Sequence, residues 1–195
     1  MKNENDDLDV DDITENLNKP KRIKTGKKGK KGELDIVNDL NLRFVELLTK
    51  NPTWGGFSRT IGSGNRWGQQ VNLPQHAKDT FTGDLVTPTN FKFVIESKKG
   101  YNDIDLFDCF SGRNRGLDEF LKQVNDDSVR SGKKPMLIWR KDRKEKLVFL
   151  KQNNFGDEEL SGLHTYSSAT LFYKEWIGLI FSGLLLKPDD FFFEL

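Results

Sequence analysis

The sequence has few of the residues that build disulfide or zinc frameworks. Cys109 is the only cysteine among 195 residues, so an intramolecular disulfide is excluded and a reducing compartment fits. The two histidines, His76 and His164, are isolated from each other and have no zinc-ligand spacing. These absences exclude a disulfide-rich domain and a zinc finger.

Long apolar runs are also missing. The longest, Trp176 to Leu186, covers eleven residues and contains glycines, whereas a membrane-spanning helix takes about 20 apolar residues. The acidic first fifteen residues lack the apolar stretch of a secretory signal. We therefore expect a soluble protein with no membrane partner, located in the cytoplasm, or in the host cytoplasm if the source is a virus.

The net charge of +1 hides a separation of charge along the chain. Residues 1–15 hold seven acids and one base, whereas residues 19–31 hold eight bases and no acid. Neither segment has apolar periodicity, so we predict a disordered arm over residues 1–31, followed by one domain over residues 32–195. The basic block could bind a phosphate backbone by releasing counterions, or it could be a solvated spacer.

Apolar periodicity and turn residues predict the elements of the domain. In chain order they are a helix at 33–49, a strand at 57–61, a hairpin of 84–86 with 91–98, a helix near 117–124, strands at 136–139 and 147–150, and a helix at 169–186. This order indicates an α/β fold with a central mixed β-sheet flanked by helices.

The second arm of the predicted hairpin carries two charged side chains on one face. Side chains alternate along a strand, so Glu96 and Lys98 project together, roughly 7 Å apart. Folding the hairpin brings Asp84 next to Glu96 as a direct or diagonal neighbour. Glu33 lies on the inward stripe of the first helix, where an unpaired carboxylate is costly unless a cation is near.

Carboxylates and a lysine in one place suit phosphodiester hydrolysis. Mg²⁺ binds through a few hard oxygen ligands, polarises a phosphate and lowers the pKa of water. The alternative is structural, because Asp84 could be a turn-flanking acid and Glu96 with Lys98 an exposed cross-strand pair.

Four segments together resemble the PD-(D/E)XK nuclease superfamily. They are Gly32-Glu33, Arg59-Thr60-Ile61-Gly62-Ser63-Gly64, Gly83-Asp84-Leu85-Val86 and Val94-Ile95-Glu96-Ser97-Lys98. Within the superfamily the sequence is most similar to the archaeal and phage Holliday-junction resolvases, over roughly residues 27–150. The resemblance implies a restriction-endonuclease-like core and a role in DNA recombination.

The resemblance also implies roles for individual residues. Glu33, Asp84 and Glu96 are expected to bind Mg²⁺ or Mn²⁺, Lys98 to be the catalytic lysine, and Ser63 to contact the substrate at the scissile phosphate. The sequence departs from the family pattern in two places. Gly83 stands where a proline is expected, and the loop between Ser63 and Asp84 is long.

The expected partner is DNA, with four-way or otherwise branched DNA as the substrate and a homodimer supplying the two cuts. The expected DNA contacts are Lys27, Lys28, Lys30, Lys31, Arg59, Arg66, Lys99, Arg113, Arg115 and Gln123, of which Gln123 matches a glutamine in several superfamily branches. Two alternatives stay open. One is another superfamily nuclease that acts on linear or damaged DNA, and the other is a non-catalytic DNA-binding protein with the same fold.

Overall fold

The structure is a computed structural model that describes residues 25–60 and 82–195. Its α-helices are α1 (Thr25–Arg43), α2 (Val45–Lys50), α3 (Arg115–Ser131), α4 (Asp157–Ser161), α5 (Phe181–Leu184) and α6 (Asp189–Phe192). Its strands are β1 (Ser58–Arg59), β2 (Leu85–Val86), β3 (Phe93–Lys99), β4 (Lys134–Arg140), β5 (Leu147–Lys151), β6 (Thr170–Tyr173) and β7 (Trp176–Ile180). Short 3₁₀ helices lie at Pro52–Trp54, Leu106–Ser111, Gln152–Asn154 and His164–Tyr166.

Five strands form the central sheet in the order β3-β4-β5-β7-β6. β3 and β4 run parallel and are connected through α3, whereas the other neighbouring pairs are antiparallel. β1 and β2 form a separate two-stranded antiparallel sheet. The prediction of an α/β fold with a mixed sheet flanked by helices is confirmed.

The two faces of the sheet pack against different helices, because successive side chains of a strand point to opposite sides. Phe93 and Ile95 of β3 share a buried cluster with Leu40 of α1. On the opposite face, Trp139 of β4 shares a second buried cluster with Phe120 of α3. β3 is therefore covered on both sides, and any polar side chain on it lies close to a helix.

Helix α1 begins at Thr25, earlier than the predicted start near Gly32. The buried residues Ile36, Leu40 and Phe44 recur at the predicted helical spacing. The preceding segment is rich in lysine, a good helix former, so the helix extends beyond its apolar stripe. The last residues of the predicted disordered arm are thus helical, while the proposed division into arm and domain stays a prediction.

The helix predicted over residues 169–186 is wrong. The segment forms the antiparallel hairpin of β6 and β7, followed by the single turn α5. Phe172, Trp176 and Ile180 have the spacing of a helical stripe, but a spacing of four residues is also a multiple of the strand period of two. Lys174, in the two-residue turn, has a φ of 52°, which suits a tight hairpin.

The predicted hairpin of 84–86 with 91–98 is also only partly present. The ladder partner of β2 is β1, and one backbone bond reaches β3, from Asp84 N–H to the Ile95 carbonyl at 3.0 Å. The C-terminal chain pairs with the start of this second arm instead, through a bridge between Phe91 and Phe193. The end of the chain therefore occupies an edge that the hairpin ladder would otherwise use.

The C-terminal phenylalanines pack on the body of the protein. Phe192 and Phe193 are fully buried, and their rings lie 5.1 Å and 5.0 Å from the ring of Phe44 on α1. Large aromatic side chains contribute strongly to core stability. Within residues 25–60 and 82–195, no helix has the length and apolar character needed to cross a bilayer.

Candidate active site

Strand β3 carries a buried ion pair on the face that it presents to α3. Glu96 and Lys98 pair in register with Leu137 and Trp139 of β4, which belong to the α3 layer. Lys98 Nζ donates to Glu96 Oε1 at 2.5 Å, and Glu96 is only 1% exposed. The two side chains therefore project together, as the strand alternation predicted.

Asp84 lies at the edge of β3 and is held there by the backbone. Its Oδ2 accepts a hydrogen bond from the Ser97 N–H at 3.0 Å. The preceding Gly83 has a φ of 83°, and a Cβ at that position would lie 2.7 Å from the Ile95 carbonyl oxygen. Proline cannot adopt this φ and a side chain cannot fit, which accounts for glycine where the family pattern has proline.

Gln123 of α3 contacts both members of the ion pair. Its Nε2 donates to Glu96 Oε1 at 2.5 Å, and its Oε1 accepts from Lys98 Nζ at 2.8 Å. Lys98 also lies over the ring of Phe120, 5.5 Å from its centroid. Residues from β3 and α3 thus fix the position of the ammonium group.

The electrostatic state of the site follows from burial and from close charges. Burial and the nearby Asp84 carboxylate both raise the pKa of Glu96, Lys98 lowers it, and together they leave the pKa raised to about 8. Burial raises the pKa of Asp84, against a hydrogen bond from Ser97 and the charge of Lys98, while Glu33 adds to the rise. Burial alone would lower the pKa of Lys98, but the charge and hydrogen bond of Glu96 together with the charge of Asp84 outweigh burial, and the pKa is raised.

Glu33 approaches the site from the other layer of the fold. It is buried on α1, and its Oε2 accepts from Arg59 Nε at 2.6 Å and Nη2 at 2.5 Å. Its charge affects Asp84, but among the described residues no three acidic, histidine or cysteine side chains are grouped closely enough to hold a metal ion. The structure therefore brings together Asp84, Glu96 and Lys98 and leaves Glu33 paired with Arg59.

Two buried oxygen atoms test whether this donor set fits a divalent cation. In the described part of the chain, Glu96 Oε2 and the Thr60 hydroxyl are buried without a hydrogen-bond partner. The backbone N–H of Thr60 donates to the Asp84 carbonyl at 3.0 Å, and the Asp84 carboxylate is close enough to Glu96 to raise its pKa. Thr60 and Glu96 therefore both lie next to Asp84. A buried carboxylate oxygen without a partner is unfavourable, and a hard cation would compensate for it. Mg²⁺ keeps several waters and binds through one or two carboxylates, so Asp84 and Glu96 fit.

The other predicted DNA contacts have varied surroundings. Lys99 Nζ donates to Asp35 at 3.1 Å, and its stem runs across α1 at Gly32, where a Cβ would lie 2.9 Å from it. The exposed members of the set are Lys30, Lys31, Arg113, Arg115 and Gln123. Ser63 and Arg66 lie outside the described residues, as do the side chains of Lys27 and Lys28 in the first turn of α1.

Asp127 is a buried acid that the sequence reasoning missed. It is 3% exposed, pairs with Arg130 on α3, and its charge contributes to the raised pKa of Glu96. The signal in the sequence is its position four residues after Gln123, which places both on one side of the helix.

A family described as "Phage putative PDDEXK endonuclease" matches residues 24–177 of the chain. No curated protein and no solved structure gives a significant match. The matched range covers well over half of the sequence and contains α1, β1, β2, β3 and α3, which carry the side chains described above. The chain therefore belongs to this family of phage PD-(D/E)XK endonucleases.

Proposed function

We propose that this protein is a metal-dependent endonuclease that hydrolyses phosphodiester bonds in DNA, with four-way or otherwise branched DNA as its preferred substrate. The observation that carries the proposal is the buried, unpartnered Oε2 of Glu96 beside Asp84 and Lys98. A structural ion pair has no need for a carboxylate oxygen without a donor, since such an oxygen destabilises the fold. A site that binds a cation needs such an oxygen, because the oxygen is then a ligand of the cation.

In this proposal Asp84 and Glu96 hold Mg²⁺ or Mn²⁺, and Glu33 completes the ligand set when Arg59 turns from it toward a phosphate. The bound cation would polarise the scissile phosphate and neutralise charge on the leaving oxygen. Arg59 would then contribute a DNA contact, because its guanidinium can form two parallel hydrogen bonds with a phosphate as it does with a carboxylate.

Lys98 stabilises the charge that develops on the phosphate during the reaction. Glu96 and Gln123 accept hydrogen bonds from its Nζ, so the ammonium is held in position before the substrate arrives. Charge that is already in place costs no reorganisation during the reaction, which makes it effective in catalysis. Gln123 positions Lys98 and Glu96 relative to each other, and Ser63 stays a proposed substrate contact.

The substrate and the assembly are linked. Resolving a four-way junction symmetrically requires two cuts on opposite strands, so we propose a homodimer with one site in each subunit. The exposed Lys30 and Lys31 precede Glu33 on α1, which places positive charge at the entrance to the site. Loss of those charges should weaken binding to all DNA forms alike.

Cleavage of labelled DNA tests the proposal. A labelled four-way junction and a linear duplex of the same sequence are each incubated with the full chain, in Mg²⁺ or in EDTA. The wild type is compared with Glu96→Gln and with a matched control, Glu158→Gln, which changes an exposed carboxylate on α4. We expect cuts in the junction that need Mg²⁺ and Glu96 and that the control retains.

The other outcomes are informative. Equal cutting of linear duplex would favour a nuclease of the same family with a different substrate. Tight binding without cleavage by the wild type, in Mg²⁺ and in Mn²⁺, would contradict the enzymatic proposal and favour a DNA-binding protein. Cleavage by Glu96→Gln at the wild-type rate would contradict the assignment of the site.

A further inference from the structure

Two phenylalanine side chains are exposed on the connection between β3 and α3. Phe107 is 77% exposed and Phe110 is 83% exposed, and their ring centroids lie 6.0 Å apart. Both belong to the 3₁₀ helix Leu106–Ser111. A 3₁₀ helix has three residues per turn, so residues 107 and 110 share one side while residues 106 and 109 share another.

The short helix is fixed firmly enough to hold the two rings in place. Cys109 is buried against α3 and the sheet, and Leu106 packs on the same cluster. Asp105 caps the helix by accepting from the Phe107 N–H at 3.0 Å. Asn114 donates to the Asp105 carbonyl at 2.7 Å. The exposed rings therefore form a preorganised surface, and binding to it would cost little ordering.

We infer that Phe107 and Phe110 form a stacking surface for unpaired bases of the DNA substrate, an inference that rests on the proposed function. Aromatic side chains stack on bases of any sequence and are the usual means of holding single-stranded nucleic acid. A substrate that presents unstacked bases, such as an open branch point or a single-stranded flap, would be selected over continuous duplex.

The charges around the two rings favour DNA bases as the occupant. Arg113 and Arg115 follow directly and are exposed, and within residues 25–60 and 82–195 neither guanidinium has an ion-pair partner. The same connection carries the exposed acids Asp103, Asp105 and Asp108. These acids repel a continuous phosphate backbone. The charges therefore favour a DNA strand that contacts this connection through its bases and places phosphates only at the two arginines.

The position of the surface along the chain links it to the candidate active site. Arg115 and Gln123 lie eight residues apart on α3, or about 12 Å along the helix axis, the length of three to four stacked nucleotides. A strand that contacts Gln123 could therefore reach Arg115, which follows the two rings in the chain, within a few nucleotides. Two rings offer at most roughly 500 Å², less than the about 800 Å² that each partner contributes to a stable protein interface.

Binding assays in EDTA test the inference without cleavage. Fluorescein-labelled 20-nucleotide single strand, linear duplex and four-way junction are titrated with wild type, with the double variant Phe107→Ala/Phe110→Ala, and with Phe172→Ala. Phe172 is the matched control, because it is 58% exposed on the edge strand β6. The double variant should lose about tenfold or more in affinity for single strand and junction, from base stacking. Its affinity for duplex should change less than about twofold, and Phe172→Ala should bind like wild type.

Three results would overturn the inference. One is unchanged affinity of the double variant for single strand, and another is an equal loss on duplex. The third is a dimer in wild type that becomes monomeric in the double variant by sedimentation, which would assign the rings to a second copy. Thermal unfolding confirms that each variant is folded. Failure of the proposed function appears separately, as absence of Mg²⁺-dependent cleavage by a wild type that still discriminates these DNAs.

Discussion

Glu33 and Glu96 are both buried glutamates near Asp84, but their carboxylates have different surroundings. Glu33 comes from α1 and accepts two hydrogen bonds from the Arg59 guanidinium. Glu96 comes from β3 and shares one oxygen between Lys98 and Gln123, while its other oxygen has no partner in the described part of the chain. The Glu33 carboxylate therefore has a charged partner within the protein. The Glu96 carboxylate has one oxygen left without a partner, and a bound cation could be that partner.

The difference suggests that Glu33 mainly stabilises the fold and that Glu96 mainly serves the reaction. A buried carboxylate with a guanidinium partner connects α1 to β1 and keeps these two elements in register. A buried carboxylate with a free oxygen lowers stability and is retained only where it serves a function. Changing each glutamate or its partner should therefore give different balances of lost stability and lost activity.

The largest effect is expected from Glu96→Gln. The amide has the shape of the carboxylate but binds a cation weakly, so single-turnover cleavage in Mg²⁺ should fall by at least about 100-fold. Lys98 would keep Gln123 as a hydrogen-bond acceptor but would lose its charged partner, so the free energy of unfolding in EDTA should fall by about 1–3 kcal/mol. Urea denaturation in EDTA provides the measurement. A loss of several kcal/mol with cleavage preserved would show that Glu96 is a structural residue.

Removing the cation partner of each glutamate gives the second comparison. Lys98→Met and Arg59→Met should each lower the free energy of unfolding by about 1–3 kcal/mol, because each leaves a buried carboxylate without its charged partner. Cleavage should divide the two variants, with a loss of about 100-fold for Lys98→Met and a loss nearer tenfold for Arg59→Met. Equal losses of cleavage activity in Lys98→Met and Arg59→Met would contradict the assignment of different roles to Glu33 and Glu96.

Gly32→Ala is expected to have the smallest effect. The new Cβ would lie 2.9 Å from the Lys99 side chain, which must shift, and α1 would move slightly away from β3. Lys99 Cβ is fixed to the backbone of β3 and only the stem beyond it can turn aside, so the free energy of unfolding should fall by about 1 kcal/mol, and less if alanine's higher helix propensity compensates. Gly29→Ala is the control, because a Cβ at this position on the same helix would make only an ordinary contact, 3.9 Å from Glu33 Oε1. If Gly29→Ala lowered the free energy of unfolding more than Gly32→Ala, the loss would come from the helix backbone and not from the contact with Lys99.

The sequence predicted the part of the site that one strand carries and did less well where separate elements meet. Strand alternation alone places Glu96 and Lys98 on the same side of β3, and the structure has them in contact. The pairing of Glu33 with Arg59 depends on how α1 packs against β1, which a linear pattern does not contain. The hairpin of β6 and β7 was mistaken for a helix because the apolar spacing fits both periods.

Calorimetric titration of Mn²⁺ into the metal-free full chain is the most direct test of the central claim, that Asp84 and Glu96 form a cation site. Wild type and Glu158→Gln should bind with the same affinity, and the cation should raise the melting temperature of both. Glu96→Gln should show neither binding heat nor a rise in melting temperature. Binding of Mn²⁺ by Glu96→Gln with wild-type affinity, or its absence from the wild type, would contradict the account.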